Sequence, residues 1–411
     1  MSDRHQRSDL PGGLIVLTEP VPAVRSVAIG VWVRTGSVFE RREEMGVSHL
    51  LEHMVFKGTA TRSAKDIALV LERLGGSLDA YTTRENTSYQ ARVLDEHTDI
   101  AIDVLADLVL APTLREADLD LEREVVLEEI STVEDTPDDL IFDLHAEQLW
   151  GSHPYGFPVL GTRESVAAMT AQALRSVHQQ EYRLPNLVIA AAGNIEHGQF
   201  VDRIGALFRD APGGSANGRI VQAEPLPPVR EFVERPTAQT HIVAGTSAFE
   251  HGDPRRYAMI LLSNAFGGGM SSRLFQRVRE ELGLAYSVFS FQSFYRAAGM
   301  LGVYVGTRPE WAAKAESVLM EEMARLATGG ITADELADVK GLVKGQMVLS
   351  LESTGARLHR LAGTALFDEP FRTVEEVMAL VDAVTLDNVA DLAAEFWAPE
   401  RQHVLRLGPE A

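Results

Sequence analysis

The sequence predicts an α+β protein made of two similar domains, each consisting of a β-sheet with helices packed against it. Strand-like alternation and helical periodicity follow one another through the first half of the chain, which is typical of this class. Residues 212–229 then form a stretch rich in Gly and Pro without periodicity, which indicates a linker. Because the same order of elements recurs after it, we predict duplicated domains at residues 1–211 and 230–411.

The elements of the first domain follow from local patterns. A branched apolar residue stands at every second position from Val27 to Val33, which predicts one buried face of a strand at residues 26–34. A helical pattern at residues 63–74 ends at two glycines, a common helix stop. The other predicted strands are residues 13–18, 78–82, 87–93 and 186–192, and the other predicted helices are residues 98–110, 119–134, 138–150, 170–182 and 197–208.

One further helix carries residues that can bind a metal. Residues 45–59 read MGVSHLLEHMVFKGT, and a helix would place His49, Glu52 and His53 within about one third of its circumference. Two imidazoles at positions i and i+4 can bind one metal ion, and Glu52 could take a proton from metal-bound water. This order, H-x-x-E-H, is the reverse of the commoner H-E-x-x-H peptidase motif. The alternative is an ordinary amphipathic helix with partly exposed histidines.

A tetrahedral zinc ion that keeps one position for water needs a third protein ligand. The helix predicted at residues 119–134 carries four candidate glutamates, and Glu122 and Glu129 lie on one face because they are seven residues apart. We expect Glu129 to be the third ligand and Glu122 to be a catalytic carboxylate close to it. The residues alone leave this choice open, since a solvated charged face explains any one of the four.

The second half repeats the first in outline but lacks the metal motif. Aligning Phe56 with Phe266 and Ala117 with Ala333 leaves no histidine or carboxylate at the motif positions. The residues opposite His49, Glu52, His53 and Glu129 are Met259, Leu262, Ser263 and Gly345. The predicted strands of this half are residues 231–234, 240–246, 286–294 and 300–307, and its predicted helices are residues 255–266, 310–327 and 333–353.

Three runs together resemble the inverted-zincin metallopeptidases. They are HLLEHMVFKGT at residues 49–59, LGGSLDAYTTRENTSYQARV at residues 74–93 and LEREVVLEEI at residues 121–130. The family includes pitrilysin, insulin-degrading enzyme and, with the greatest similarity, mitochondrial processing peptidase and its bacterial relatives. The resemblance implies a zinc endopeptidase whose catalytic domain is the N-terminal one, and it places the third ligand at Glu129, which lies 76 residues after His53.

The resemblance also implies how a substrate is enclosed. Long single-chain relatives close four such domains around the peptide, so this chain would be half of a four-domain clamshell chamber. We therefore expect a homodimer, with a heterodimer containing a paralogue as the alternative. Arg279 and Tyr286 are similar to a family pair that reaches the zinc site from a non-catalytic domain, where Tyr286 would stabilise the oxyanion and Arg279 would hold a substrate carbonyl. A surface arginine and a core tyrosine are the alternative.

Residues 78–82 resemble the strand with which family members bind extended peptides edge to edge. Ala80 and Tyr81 are the predicted substrate-binding residues of this strand. Asp79 stands where the family often has Asn, so the contact of that side chain does not carry over. Glu85 would orient a zinc-bound histidine, although a solvated glutamate explains it equally well.

These features predict a zinc-dependent endopeptidase that hydrolyses unfolded peptides or presequence-like segments within a dimeric chamber. The alternative is a non-catalytic scaffold or peptide-presenting subunit of a heterodimeric processing peptidase. Such subunits usually lack the complete set of His49, Glu52, His53 and Glu129. Mn²⁺ or Co²⁺ could occupy the same ligands instead of Zn²⁺.

Composition excludes several other classes. The net charge of −21 makes nucleic acid an improbable partner, because phosphate binding needs clustered Lys and Arg. No apolar run of about 18 residues occurs, so we expect no membrane partner. With no cysteine in 411 residues there is no disulfide framework and no cysteine nucleophile, which fits a cytoplasmic location.

Overall fold

The computed structural model describes residues 5–410, which form two compact α+β units. The first unit contains the described residues up to Ile130 together with Phe157–Ile220 and Ser350–Phe371, and the second contains Ser131–Gly156, Val221–Leu349 and the described residues from Arg372. The prediction of two α+β sheet-and-helix domains is therefore confirmed. The boundaries 1–211 and 230–411 stay a prediction, and residues 1–4 lie outside the described part.

The elements of the first half alternate between strands and helices. In chain order they are β1 Gln6–Asp9, β2 Ile15–Pro20, β3 Ser26–Val33, α1 Val47–Val55, α2 Ala64–Glu72, β4 Ser77–Thr82, β5 Thr87–Leu94, α3 Thr98–Leu110, α4 Glu116–Glu134, α5 Pro137–Trp150, α6 Arg163–Ala168, α7 Ala171–Glu181, β6 Leu187–Gly193 and α8 His197–Leu207.

The second half has the same alternation and adds a π-helical turn at Phe275–Glu281. Its elements are β7 Arg230–Glu234, β8 Thr240–Ala248, α9 Arg256–Gly267, β9 Ala285–Phe294, β10 Gly299–Thr307, α10 Ala312–Gly329, α11 Ala333–Ser350, α12 Thr354–Leu366, α13 Val374–Asp382, α14 Leu386–Phe396 and β11 His403–Gly408. Of the helices within residues 5–410, none has the length and apolar composition that crossing a lipid bilayer requires.

The first unit is built on a six-stranded sheet in the order β1-β2-β6-β3-β5-β4. β2 and β6 are parallel and the other neighbours are antiparallel. The alternate residues from Val27 to Val33 face the core that contains α1 and α3, as the pattern predicted. At the end of the order, β4 is an edge strand, and within residues 5–410 it pairs with β5 alone.

The other face of this sheet is covered by α12, which comes from the C-terminal half of the sequence. Leu358, Leu361 and Ala365 of α12 pack against Trp32 of β3 and Val188 of β6. Beside this apolar contact, Arg357 of α12 forms an ion pair with Glu19 of β2. Both side chains are buried, so the ion pair fixes α12 at one position on the sheet.

The second unit is built on a five-stranded sheet in the order β7-β11-β8-β10-β9. Here the outer face is covered by α5, a helix from the N-terminal half, whose Ile141 packs against Val243 and Leu405. Each unit thus uses one helix from the other half of the sequence. This exchange has no signal in the periodicity of either helix.

The segment predicted as a linker, residues 212–229, contains no helix or strand. Its first part is nevertheless bound to the first unit through Asn217. The Asn217 side-chain amide donates to the backbone oxygen of Arg34 at 2.8 Å, and its backbone N–H donates to Asn186 Oδ1 at 2.8 Å.

Candidate metal centre

The helix that carries the metal motif, α1, begins at a structured turn. Gly46, the residue before it, has a φ of 87°, in the left-handed region that glycine adopts most readily. The carboxylate of Glu40 accepts hydrogen bonds from the backbone N–H groups of Gly46 and Ser48, each at 2.8 Å. It therefore satisfies two of the donors that a helix N-terminus leaves without a partner.

The two faces of α1 have different tasks. Leu50, Leu51 and Met54 are fully buried in the core of the first unit. His49 and His53 lie on the other side with their ring centroids 4.6 Å apart. The apolar face packs the helix against the core, and the two histidines on the polar face are available to bind a metal ion.

Glu129 of α4 completes a three-residue cluster with the two histidines. One of its carboxylate oxygens lies 3.7 Å from His49 Nε2 and 3.6 Å from His53 Nε2. The ligand atoms of the three side chains all lie within 4.8 Å of one another. No second cluster of three such ligands occurs among the described residues.

The cluster fits a zinc ion. Two nitrogen or oxygen ligands of a tetrahedral zinc at about 2.0–2.2 Å lie roughly 3.3 Å apart. The distances from the Glu129 oxygen to the two histidine nitrogens, 3.7 and 3.6 Å, are close to this value. Burial, followed by the nearby His53, lowers the pKa of His49 to about 3. His49 is therefore a neutral imidazole at physiological pH, which is the form that binds metals.

Glu122 lies on α4, two helical turns before Glu129. It contacts His53 at Nδ1, the ring nitrogen that is not on the side of Glu129. Its carboxylate accepts from His53 Nδ1 at 3.2 Å, and its other oxygen is 2.5 Å from Lys57 Nζ. This contact holds the proton of His53 on Nδ1, so that Nε2 is free on the side of Glu129. The structure thus places Glu122 where it orients a ligand.

Glu52 lies on the same helix as the histidines and is only 9% exposed. Thr82 Oγ1 donates a hydrogen bond to Glu52 Oε2 at 2.7 Å. Burial raises the pKa of Glu52, while the hydrogen bond from Thr82 and the neighbouring His53 lower it. A carboxylate with a raised pKa beside a metal site is suited to proton transfer near neutral pH.

The edge strand β4 presents backbone groups beside this centre. The hydrogen bond from Thr83 N to Asn86 O, at 2.8 Å, closes the turn to β5 and sets the alternation of the ladder. That alternation directs the backbone N–H and C=O of Ala80 and Thr82 to the open edge. Ala80 is therefore placed as a peptide-binding strand requires.

Tyr81 points to the opposite face of the sheet. Its hydroxyl accepts a hydrogen bond from Trp32 Nε1 at 3.1 Å and lies 3.5 Å from His359 Nδ1 of α12. Its backbone is directed towards β5 by the same alternation. Tyr81 supports the strand, and its side chain does not point towards α1.

Glu85 lies in the turn between β4 and β5. It is 8% exposed, and its backbone N–H donates to the Thr83 hydroxyl at 3.2 Å. Its predicted role in orienting a zinc-bound histidine stays a prediction.

Arg279 and Tyr286 belong to the second unit, where they form a stacked pair. The Arg279 guanidinium lies 4.4 Å from the centre of the Tyr286 ring and also covers Phe275 at 4.7 Å. It donates to the backbone oxygen of Tyr286 at 3.2 Å. Because the Tyr286 side chain is 77% exposed, its hydroxyl is accessible to a ligand.

The residues opposite the metal motif in the second unit have become core residues. Met259 and Leu262 are fully buried, and Ser263 donates to the hydroxyl of Ser290 at 3.0 Å. In the second unit the equivalent helix, α9, packs in the core and contains no histidine or carboxylate that could bind a metal.

Sequence reasoning missed three residues that shape the centre. Lys57 lies within the motif run, and its spacing of four residues from His53 was a signal that it lies near the site. Glu40 and Thr82 have no such signal, because their contacts depend on how distant segments pack.

Comparison with known proteins identifies the family of the chain. Residues 15–163 match the model of the insulinase family, peptidase family M16, and residues 168–342 match that of the peptidase M16 inactive domain. The chain is 40% identical to a protein named as an uncharacterized zinc protease of Streptomyces coelicolor, over 95% of this chain and 86% of that protein. It is also 40% identical to the uncharacterized zinc protease YmxG of Bacillus subtilis, over 96% of each.

Solved structures show the same fold. A structure titled as a peptidase M16 inactive domain from Pseudomonas fluorescens superposes with a TM-score of 0.94 at 22% identity, covering 99% of this chain and 98% of the other. A protease from Helicobacter pylori gives a TM-score of 0.91 at 20% identity, covering 99% and 100%. Together with the relatives at 40% identity, the two domain matches show that this chain belongs to the insulinase family, peptidase family M16.

Proposed function

We propose that this protein is a zinc-dependent endopeptidase. The observation that carries the proposal is the convergence of His49, His53 and Glu129 on one point, with Glu52 on the same helix. Relatives that are named zinc proteases support it. The complete set of ligands and base also argues against the alternative of a non-catalytic scaffold or peptide-presenting subunit.

His49, His53 and Glu129 would hold the metal. Bound zinc supplies Lewis acidity, which polarises the substrate carbonyl and lowers the pKa of water towards about 7. Mn²⁺ or Co²⁺ can also bind two imidazoles and a carboxylate. The structural support for the proposal is therefore the set of three ligands, and the choice of zinc follows from the names of the relatives.

Glu52 acts as general base and then as general acid. It takes a proton from the attacking water and returns it to the amine that leaves the cleaved peptide bond. Its burial raises its pKa, which makes it a stronger base than an exposed glutamate. Thr82 holds one carboxylate oxygen, which leaves the other for this proton transfer.

The substrate binds in an extended conformation. Ala80 offers its backbone groups at the open edge of β4, where a peptide can add as a further strand. Such binding depends on the peptide backbone and requires a segment without its own structure. It suits unfolded peptides and presequence-like segments.

The decisive experiment compares wild type and Glu52→Gln on a quenched fluorescent peptide. Wild type should cleave it, lose activity with a chelator and regain activity with zinc. Glu52→Gln should keep about one zinc per chain and bind peptide while its turnover falls at least about 10³-fold. Near-wild-type rates for Glu52→Gln would remove Glu52 from the mechanism, and chelator-insensitive cleavage would refute the metallopeptidase assignment.

We further propose that the working form is a homodimer in which Arg279 and Tyr286 of one copy complete the zinc site of the other. Tyr286 would donate to the developing oxyanion, and Arg279 would bind a substrate carbonyl. Mixing inactive Glu52→Gln with inactive Arg279→Ala should then restore activity, because a mixed dimer contains one intact site. An active monomer in light scattering, or a mixture that stays inactive after subunit exchange, would contradict this.

A further inference from the structure

Thr82 connects the general base to the strand that binds the peptide. It is the last residue of β4, and its hydroxyl donates to Glu52 Oε2 at 2.7 Å. Glu52 is on α1, so this hydrogen bond joins the metal-binding helix to the edge strand.

The direction of the Thr82 hydroxyl is defined by its neighbours. Thr87, its partner across the β4–β5 pair, is fully buried and lies 3.5 Å from it, oxygen to oxygen. The Thr87 hydroxyl donates to the backbone oxygen of Thr35 at 3.1 Å. Because threonine is branched at Cβ, few rotamers are available to Thr82, and the observed one delivers its proton to Glu52.

The backbone of Thr82 faces the open edge, since it has the same alternation as Ala80. A peptide that adds to this edge therefore forms hydrogen bonds beside the residue that holds Glu52.

We propose that Thr82 is a positioning residue that fixes the Glu52 carboxylate beside the edge strand to which the peptide binds. This inference rests on the proposed function. Glu52 has three rotatable side-chain bonds, and without the hydroxyl its carboxylate can take other rotamers. A misplacement of about 1 Å in a reacting group can cost about 10²-fold in rate.

The test replaces the hydroxyl without changing the size of the side chain. Thr82→Val should lower kcat about 30- to 100-fold, with KM within about twofold of wild type and zinc content unchanged. Thr82→Ser should recover kcat to within about threefold, because it restores the donor. The matched control is Thr18→Val, which removes a buried hydroxyl of the same sheet that contacts His197 at 2.8 Å, and it should leave kcat unchanged.

Two measurements do not depend on turnover. A crystal structure of metal-free Thr82→Val should show the Glu52 carboxylate displaced, whereas Thr82→Ser should keep it in place. In the Glu52→Gln background, calorimetry should give the same peptide affinity with and without Thr82→Val. The double variant should also be no slower than Glu52→Gln alone, because the two residues act as one unit.

The outcomes separate this inference from the proposed function. Wild-type kcat in Thr82→Val, loss of zinc, a rise in KM alone, or failure of Thr82→Ser to recover would each overturn the role of Thr82. All four leave a zinc-dependent wild-type peptidase intact. A wild-type protein that does not cleave peptides with zinc bound would instead refute the proposed function.

Discussion

Burial and two neighbouring side chains, Glu122 and Lys57, determine how the residues of the candidate metal centre behave. Burial keeps His49 neutral, Glu122 holds the proton of His53 on Nδ1, and Lys57 compensates the charge of Glu122. Glu122 is itself only 6% exposed, so its ion pair with Lys57 offsets the cost of a buried carboxylate. His53, a candidate metal ligand, is thus held in its tautomer by a residue outside the three-residue cluster.

Glu122→Gln should weaken zinc binding about 10- to 100-fold. A neutral amide is a poorer acceptor for His53 Nδ1–H, so the ring becomes less basic and less well oriented. Competition with a calibrated chelator measures the effect directly. Glu124→Gln, which changes an exposed glutamate of the same helix, is the control and should bind zinc as wild type does.

The predictability of the site depends on how far apart its residues are in the sequence. His49, Glu52 and His53 lie within one helical segment, so their spacing alone indicates a common face. The choice of Glu129 among four glutamates came from the resemblance to inverted zincins. Thr82 could not be predicted from its own position, because only the folded sheet places its hydroxyl against Glu52.

At the scale of single elements, the open edge of β4 makes a prediction about the substrate. Peptide strands donate through alternate backbone N–H groups, so N-methylation at every second position should raise KM at least about 10-fold. The same modification shifted by one residue should have a much smaller effect. Equal effects in both registers would show that backbone pairing does not govern binding.

The N-terminus of α1 predicts a pH dependence of stability. Burial raises the pKa of Glu40 from 4.5 to about 7, so between these values the folded state binds more protons than the unfolded state. Stability should therefore fall as pH rises through this window, by roughly 3 kcal/mol at about 1.4 kcal/mol per pKa unit. Urea unfolding at pH 5 and pH 8 measures the change.

Glu40→Gln is the matching variant, because glutamine cannot ionise; it keeps only one acceptor oxygen for the two backbone N–H groups, so it should also be less stable than wild type. It should flatten the dependence of the urea midpoint on pH across the same window. If wild type and Glu40→Gln showed parallel pH profiles, other groups would account for the dependence.

At the scale of the whole molecule, each sheet is covered by a helix from the other half of the sequence. The α+β class and the duplication were predictable, because periodicity and the repeated order of elements are local properties. The last predicted element is the helix at residues 333–353, so neither α12 nor its packing on the first sheet was predicted. Packing partners so distant along the chain leave no periodic signal.

The ion pair between Arg357 and Glu19 is the most sensitive point of this exchange. Arg357→Met would leave Glu19 buried at 1% exposure without its cation, and we expect the free energy of unfolding to fall by about 3–5 kcal/mol. The double variant Glu19→Leu with Arg357→Met should recover most of this loss. Arg73→Met, at an exposed position, should change stability by less than about 0.5 kcal/mol in the same urea experiment.

The position of α12 near the C-terminal end of the sequence has a consequence for synthesis in the cell, because the sheet that it covers is synthesised much earlier. β6 ends at Gly193 and α12 begins at Thr354, so the ribosome adds 160 intervening residues after the sheet is complete in sequence. At 5–20 residues per second this takes roughly 10–30 s. For that time we expect the nascent chain to expose Leu17, Trp32 and Val188, and chaperones that bind apolar surface should bind this sheet face until the last seventh of the protein is synthesised.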